Sequence, residues 1–167
     1  MFRYSYILLF LMGCSSVPDH VAPIQDFELN RYLGKWYEIA RLDHRFERGL
    51  DQVTAFYNKN TNEQVAVINL GRDKNGNYKS AKGIAQYDGL KKQGFFKVSF
   101  FRPFYSPYVI FYIDPDYQYA FVSGPSRHYL WLLSRTPSIP NSVKQQFVTM
   151  SNSLGFATND LIWVQQD

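Results

Sequence analysis

Few residues in this chain have a type and spacing that could do covalent chemistry. Its 167 residues hold one cysteine, Cys14. A lone thiol excludes an intramolecular disulfide and a cysteine-based zinc site, and leaves nucleophilic catalysis or covalent modification. The histidines are His20, His44 and His128. They lie far apart, and no metal-ligand spacing, Ser–His–Asp arrangement or Gly-rich phosphate loop accompanies them. None falls on a strand-like run, which argues against haem ligation. A binding protein rather than an enzyme is expected, with no metal and no cofactor. The net charge is +4 and the isoelectric point about 9.1. Lys79, Lys82, Lys91 and Lys92 are scattered and form no basic-aromatic module, so no nucleic-acid partner is expected. Such a surface suits anionic lipid better.

The setting of Cys14 narrows its chemistry. Arg3 is the only charge before Asp19. Tyr6–Met12 is apolar but too short to span a bilayer, which takes about 20 residues. A basic start, a short apolar core and a small residue after it suit a cleaved secretory signal. Leu11-Met12-Gly13-Cys14 resembles the bacterial lipoprotein box. That resemblance implies a signal peptide over residues 1–13 and diacylglyceryl and N-acyl modification of Cys14. The alternative is a chance cysteine in an ordinary signal. Several acyl chains anchor far more firmly than one. Ser15, where an Asp would imply inner-membrane retention, implies the outer membrane by the same resemblance. An acylated Cys14 also leaves no free thiol for catalysis. Residues 14–26 are rich in Pro, Ser and Asp and read as a lipidated, flexible tether.

Residues 27–167 read as one domain of strands. The chain is 46% hydrophobic and 18% aromatic, so a sizeable core is available. Strand-like runs occur at Leu33–Leu42, Gln52–Lys59, Gln64–Leu70, Tyr78–Tyr87, Phe95–Arg102, Tyr108–Asp114, Tyr119–Ser123 and Tyr129–Ser134. Turn chemistry separates them, for example Lys74-Asn75-Gly76 and Asp114-Pro115-Asp116. Such short connections demand antiparallel neighbours. Eight such strands close into an up-and-down β-barrel, which removes exposed edges. Pro140 opens one C-terminal α-helix in which Val143, Phe147, Met150 and Leu154 share a face, and Gly155 ends it. A short final strand, Leu161–Val164, follows. The fold class is all-β.

Gly34-Lys35-Trp36-Tyr37 resembles the Gly-x-Trp signature of lipocalins. Asp114-Pro115-Asp116-Tyr117 and Arg135 resemble that family's second and third blocks. Longer runs, Arg31–Arg41, Asp43–Gly49, Lys97–Phe101 and Ile162–Gln166, are similar to bacterial outer-membrane lipocalins. The resemblance implies that Gly34, Trp36 and Arg135 are a structural signature, with the arginine packed over the tryptophan to close one end. Strand parity agrees, since all three blocks fall at the same end of an up-and-down barrel. The mouth is then lined by Asp43–Asp51, Gly71–Asn77, Pro103–Pro107 and Gly124–His128. The resemblance further implies a fatty acid or lysophospholipid ligand, held for storage, transport or envelope maintenance. It also implies attachment to the outer membrane through acyl chains, with the domain facing the periplasm.

Alternation assigns a cavity wall. Phe96, Val98 and Phe100 oppose Lys97 and Ser99, so the apolar set points inward. Tyr129 and Trp131 share parity with Arg135, and Glu38 and Ala40 with Trp36. The ligand-binding residues expected are therefore Trp131, Phe96, Val98, Phe100, Tyr129, Glu38 and Ala40. Arg45, Arg48, Arg72, Lys74, Arg127 and His128 in the mouth loops are candidates to pair with a carboxylate or phosphate. The run Tyr108–Ile113 is apolar on both faces, which fits packing on its outer face, for instance in a homodimer, or merely exposed aromatics. The rival reading is a structural envelope lipoprotein whose barrel is filled by its own side chains.

Overall fold

The computed structural model describes residues 17–60, 64–88 and 92–166. Cys14 and the signal-peptide boundary lie outside them. Eight strands form the barrel: β1 Gly34–Arg41, β2 Leu50–Lys59, β3 Val65–Asp73, β4 Tyr78–Tyr87, β5 Phe95–Phe101, β6 Phe104–Ile113, β7 Tyr119–Ser123 and β8 Leu130–Ser134. Each pairs antiparallel with the next. β1 joins both β8 and β2, so the sheet closes on itself.

Aspartate side chains set two of the turns. The amides of Asn75 and Asn77 both donate to Asp73 Oδ1 at 2.9 Å, fixing the β3–β4 turn. Asp114 likewise accepts from the Gln118 amide at 2.7 Å between β6 and β7. These are Asx-type turns, in which a short carboxylate replaces a missing backbone partner.

Two apolar layers result. Inside the barrel, Trp36, Tyr57, Val67, Ile110 and Val122 belong to one cluster. Outside, Phe121, Leu130 and Leu132 pack with Phe147 of the helix α2, Asn141–Ser153. A short strand β9, Ile162–Trp163, adds to the outer half of β1. There Gln166 Nε2 donates to the Glu38 and Val53 carbonyls at 2.6 and 2.9 Å, bridging the place where β1 and β2 part.

Two features differ from the reading of the sequence, and one open alternative is resolved. Residues 17–26 do not behave as a flexible tether. Pro18 and Val21 are buried, Ile24 N–H donates to the Ile110 carbonyl at 3.0 Å, and the segment lies along the outside of the barrel. β6 begins at Phe104, so most of Pro103–Pro107 is strand rather than loop. The outer face of β6 is covered from within the chain: Val109, Phe111 and Tyr112 pack into the layer that contains α2 and Phe156. Its two-sided apolar character therefore needs no second subunit. Two elements were absent from the sequence reading, the single helical turn α1, Leu29–Tyr32, and a 3-10 turn at Thr158–Asp160.

Candidate ligand-binding cavity

The closed end is built around Trp36, which is fully buried. Its Nε1 donates to the Tyr32 carbonyl at 2.7 Å, which ties β1 to α1. The Arg135 guanidinium lies 3.9 Å from the Trp36 ring centroid. It donates to the carbonyls of Lys35 and Arg31 at 2.7 Å, and to those of Leu33 and Tyr117 at 3.0 and 3.3 Å. A planar fork serves four acceptors and an indole at once, which a lysine ammonium cannot do. Gly34 has φ +96°, and a Cβ there would come 3.5 Å from Arg135 Nη1. The left-handed backbone is what requires glycine. Phe27, Tyr32 and Tyr117 complete the floor.

Above this floor the barrel encloses a cavity of about 430 Å³ that opens at the other end. Small-molecule sites run to about 300–1,000 Å³. Of the expected wall residues, Trp131, Tyr129, Val98, Phe100 and Glu38 line it. Phe96 and Ala40 do not. Phe96 meets Tyr87 in a tilted contact at 4.6 Å and Phe27 edge-on at 5.6 Å, so it belongs to the floor. Ala40 faces the outer layer under α2. The cause is a bulge in β1. Glu38 pairs with Leu133, but Ala40 pairs with Leu132 and Arg41 with Trp131, so Ile39 is an extra residue. A bulge shifts the facing of everything after it. Ile39 and Ala40 both turn outward, and Arg41 turns in.

Arg41 organises a buried polar wall that alternation had missed. Its Nη1 donates to Glu38 Oε1 at 2.7 Å, and its Nη2 to the Glu47 and Leu50 carbonyls at 2.9 Å. Trp131 Nε1 donates to Glu47 Oε2 at 3.0 Å. His44 Nε2 stands 2.9 Å from the same oxygen, an ion-pair separation, but off the hydrogen-bond line. Burial pushes the Glu38 carboxyl well above the usual carboxylate range, and the charge on Glu47 adds to this; Arg41 opposes both without cancelling them. Burial also works to raise Glu47, but His44, the Trp131 N–H and Arg41 outweigh it and hold that carboxyl below its ordinary value. The same surroundings thus push the two carboxyls in opposite directions, Glu38 up and Glu47 down, so a proton on the pair is favoured at Glu38.

The cavity floor carries hydroxyls. Tyr108 Oη lies 2.7 Å from Tyr32 Oη and 2.8 Å from Tyr57 Oη. Burial raises all three phenols, Tyr57 to about 12, so they stay neutral donors. On the wall, Arg41 Nε, His44 Nδ1 and Asn69 Oδ1 have neither a hydrogen-bond nor an ion-pair partner, and His44 Nε2 has only its ion-pair contact. Lys79 lies at the rim, its Nζ 3.6 Å from Asp73 Oδ2 and 61% of its side chain exposed. Several mouth cations are already engaged. Arg48 pairs with Asp43 at 2.8 Å, Arg72 Nε donates to the Gly76 carbonyl at 3.3 Å, and Arg127 donates to the Leu154 and Asp19 carbonyls at 2.9 Å. No group of three or more His, Cys, Asp or Glu among the described residues could hold a metal.

Known proteins share this sequence and fold. The sequence model of the Lipocalin-like domain family matches residues 27–166. "Outer membrane lipoprotein Blc" of Vibrio cholerae is 52% identical over 158 residues, covering 93% of this chain and 92% of that protein. The protein of the same name in Escherichia coli K12 is 45% identical, covering 93% and 90%. Temperature-induced lipocalin-1 of Arabidopsis thaliana is 34% identical, covering 83% and 78%. Among solved structures, insecticyanin from the tobacco hornworm Manduca sexta superposes with a TM-score of 0.72 at 18% identity, covering 90% and 86%. With the Gly34–Trp36–Arg135 closure, the eight-stranded barrel and its single long helix, the chain belongs to the lipocalin family.

Proposed function

We propose that this chain is an acylated lipocalin of the outer membrane that takes up one fatty acid or lysophospholipid, tail inward. The observation that carries this reading is the open, 430 Å³ cavity with Val53, Val67, Val98, Phe100 and Leu133 on its wall. An apolar wall with few polar groups suits an alkyl chain, whose burial is worth about 0.8 kcal/mol per CH₂. A self-filled barrel would leave no such space. On the inner polar wall both Nη groups of Arg41 are taken by Glu38 and by the Glu47 and Leu50 carbonyls, which leaves them unavailable to a ligand carboxylate. An anionic head therefore rests at the rim, near Lys79. His44 Nδ1 and Asn69 Oδ1 are available to its other polar atoms. The membrane assignment is supported by the names of the Vibrio cholerae and Escherichia coli relatives and by Leu11-Met12-Gly13-Cys14. Periplasmic facing follows from the same reading. Catalysis is not part of it, because the carboxyl pair is committed to Arg41, His44 and Trp131.

Titration of delipidated protein with a long-chain fatty acid and with a lysophospholipid tests this. Trp131 sits in the wall, so tryptophan fluorescence should change on binding, and native mass spectrometry should show one lipid per chain. No spectral change at saturating lipid, with no bound mass, would favour the purely structural lipoprotein.

A further inference from the structure

We propose that the open end of the barrel is a membrane-docking surface, seated on the phospholipid leaflet in which the chain is anchored, so that lipid passes between bilayer and cavity without crossing water. This rests on reading Cys14 as acylated.

The exposed large apolar side chains among the described residues are Phe46, Leu70, Tyr78, Phe100, Phe101 and Phe104, and all lie at the open end. Phe46, Tyr78, Phe101 and Phe104 are 68–79% exposed. The described residues of the closed end, at the β2–β3, β4–β5 and β6–β7 connections, contribute none. Grouped exposure of this kind marks an interaction surface. Its chemistry is specific. Each of three projecting hairpins sets an exposed aromatic near a cation that no carboxylate pairs among the described residues: Arg45 beside Phe46, Lys74 before Tyr78, and Arg102 between Phe101 and Phe104. The Arg45 guanidinium lies 4.9 Å from the Phe46 ring centroid. Aromatic rings with adjacent cations are what an interface of acyl chains and anionic headgroups selects.

The path of the N-terminal segment supplies a second, independent argument. It runs from the open end to the closed end, from Asp19, whose carbonyl is held by Arg127 of the β7–β8 loop, to Phe27 in the floor. Arg127 also holds the Leu154 carbonyl beyond α2, so this entry point is fixed. From Val17 to Cys14 is three residues, a reach of about 10 Å at most. An acyl anchor at Cys14 therefore keeps the membrane at the level of the mouth loops, not of the closed end.

Full-length protein purified from membranes and reconstituted in phosphatidylethanolamine–phosphatidylglycerol vesicles decides the point. Phe101→Cys and Asp116→Cys variants, at opposite ends, carry an environment-sensitive thiol fluorophore and are quenched with lipids spin-labelled in the acyl chain. The label on the Phe101→Cys variant should be quenched several-fold more than that on the Asp116→Cys variant. Equal quenching, or the reverse order, overturns the proposal. Shielding of the position-101 label from water without quenching by lipid would mean a second copy or another protein covers the mouth, and overturns it too. Mass and labelling stoichiometry of the parent protein read Cys14 separately. An unmodified, labelled Cys14 refutes the anchor reading, and the quenching ratio on vesicle-bound protein still decides the docking face.

Discussion

Glu38→Gln should leave the protein as stable as before or make it more stable at neutral pH, although it removes one partner of a buried ion pair. Glu38 is 4% exposed and its carboxyl is 2.7 Å from Arg41 Nη1. Breaking a buried pair by removing one charge usually costs about 3–5 kcal/mol. Here burial and the Glu47 carboxylate push Glu38 toward its protonated form. Glutamine is close to isosteric with that form: its oxygen accepts from Arg41 and its amide donates toward Glu47. Both are then neutral acceptors for Arg41, so the exchange itself should change stability by no more than about 1 kcal/mol.

The pH dependence gives the discriminating signal. A folded pKa raised above the unfolded one contributes stability that is fully present below about pH 4.3, the unfolded carboxylate value, and is lost as pH rises toward the folded value. Across that window the parent should lose about 1.4 kcal/mol per pH unit relative to Glu38→Gln. Urea unfolding followed by tryptophan fluorescence, repeated across mildly acidic to mildly alkaline buffers, reads both numbers. Arg41→Met is the control. It strands the Glu47 carboxylate and the Glu47 and Leu50 carbonyls, and should cost about 3–5 kcal/mol. A Glu38→Gln loss of that size, unchanged with pH, would mean the carboxyl is ionised in the fold and would refute the proton assignment.

The closed end should be the most sensitive part of the barrel. Trp36→Ala removes a fully buried ring and its bond to Tyr32, and should lower unfolding free energy by about 3–5 kcal/mol; unchanged melting would contradict the closure. Gly34→Ala, by placing a side chain at φ +96°, should cost about 1–2 kcal/mol in the same denaturation assay. Cys14→Ser should move the protein from the membrane to the soluble fraction on cell fractionation, and continued membrane association would remove the anchor reading.

Much of the barrel was legible because its signals are local. β4 and β7 occupy the residues expected, since turn chemistry at Lys74–Gly76 and Asp114–Asp116 frames them. The wall at Val98, Phe100, Tyr129 and Trp131 followed from alternation, even though β5 shifts register against β6 between Val98 and Phe101 and Tyr129 lies just before β8. α1 was missed because four residues hold a single turn, too short to show periodicity. The docked N-terminal segment was missed because Pro, Ser and Asp report local flexibility and not that Val21 and Ile24 find partners on β6 and the α2 layer. Phe96 failed for a different reason: parity gives the inward face but not depth, and Phe96 points inward at the floor, below the cavity.

Most of the cavity's chemistry traces to one residue that no pattern announces. Regular alternation through Ile39 would have put Ala40 inside and Arg41 on the outer face. Glu38 would then face an apolar cavity with no cation near it, a costly arrangement for any carboxyl. The bulge exchanges the two. It gives the outer layer both Ile39 and Ala40 to pack under α2, and gives the inner wall a guanidinium that binds Glu38 and the backbone of the mouth loop together. That loop carries His44 and Glu47 into the wall and Phe46 to the rim. The polar spot inside the barrel and the exposed edge at its mouth are therefore positioned by the same register shift. A change that regularised β1 would be felt in ligand binding and at the rim before it was felt at the closed end, where β1 pairs with β2 through Gly34–Tyr37.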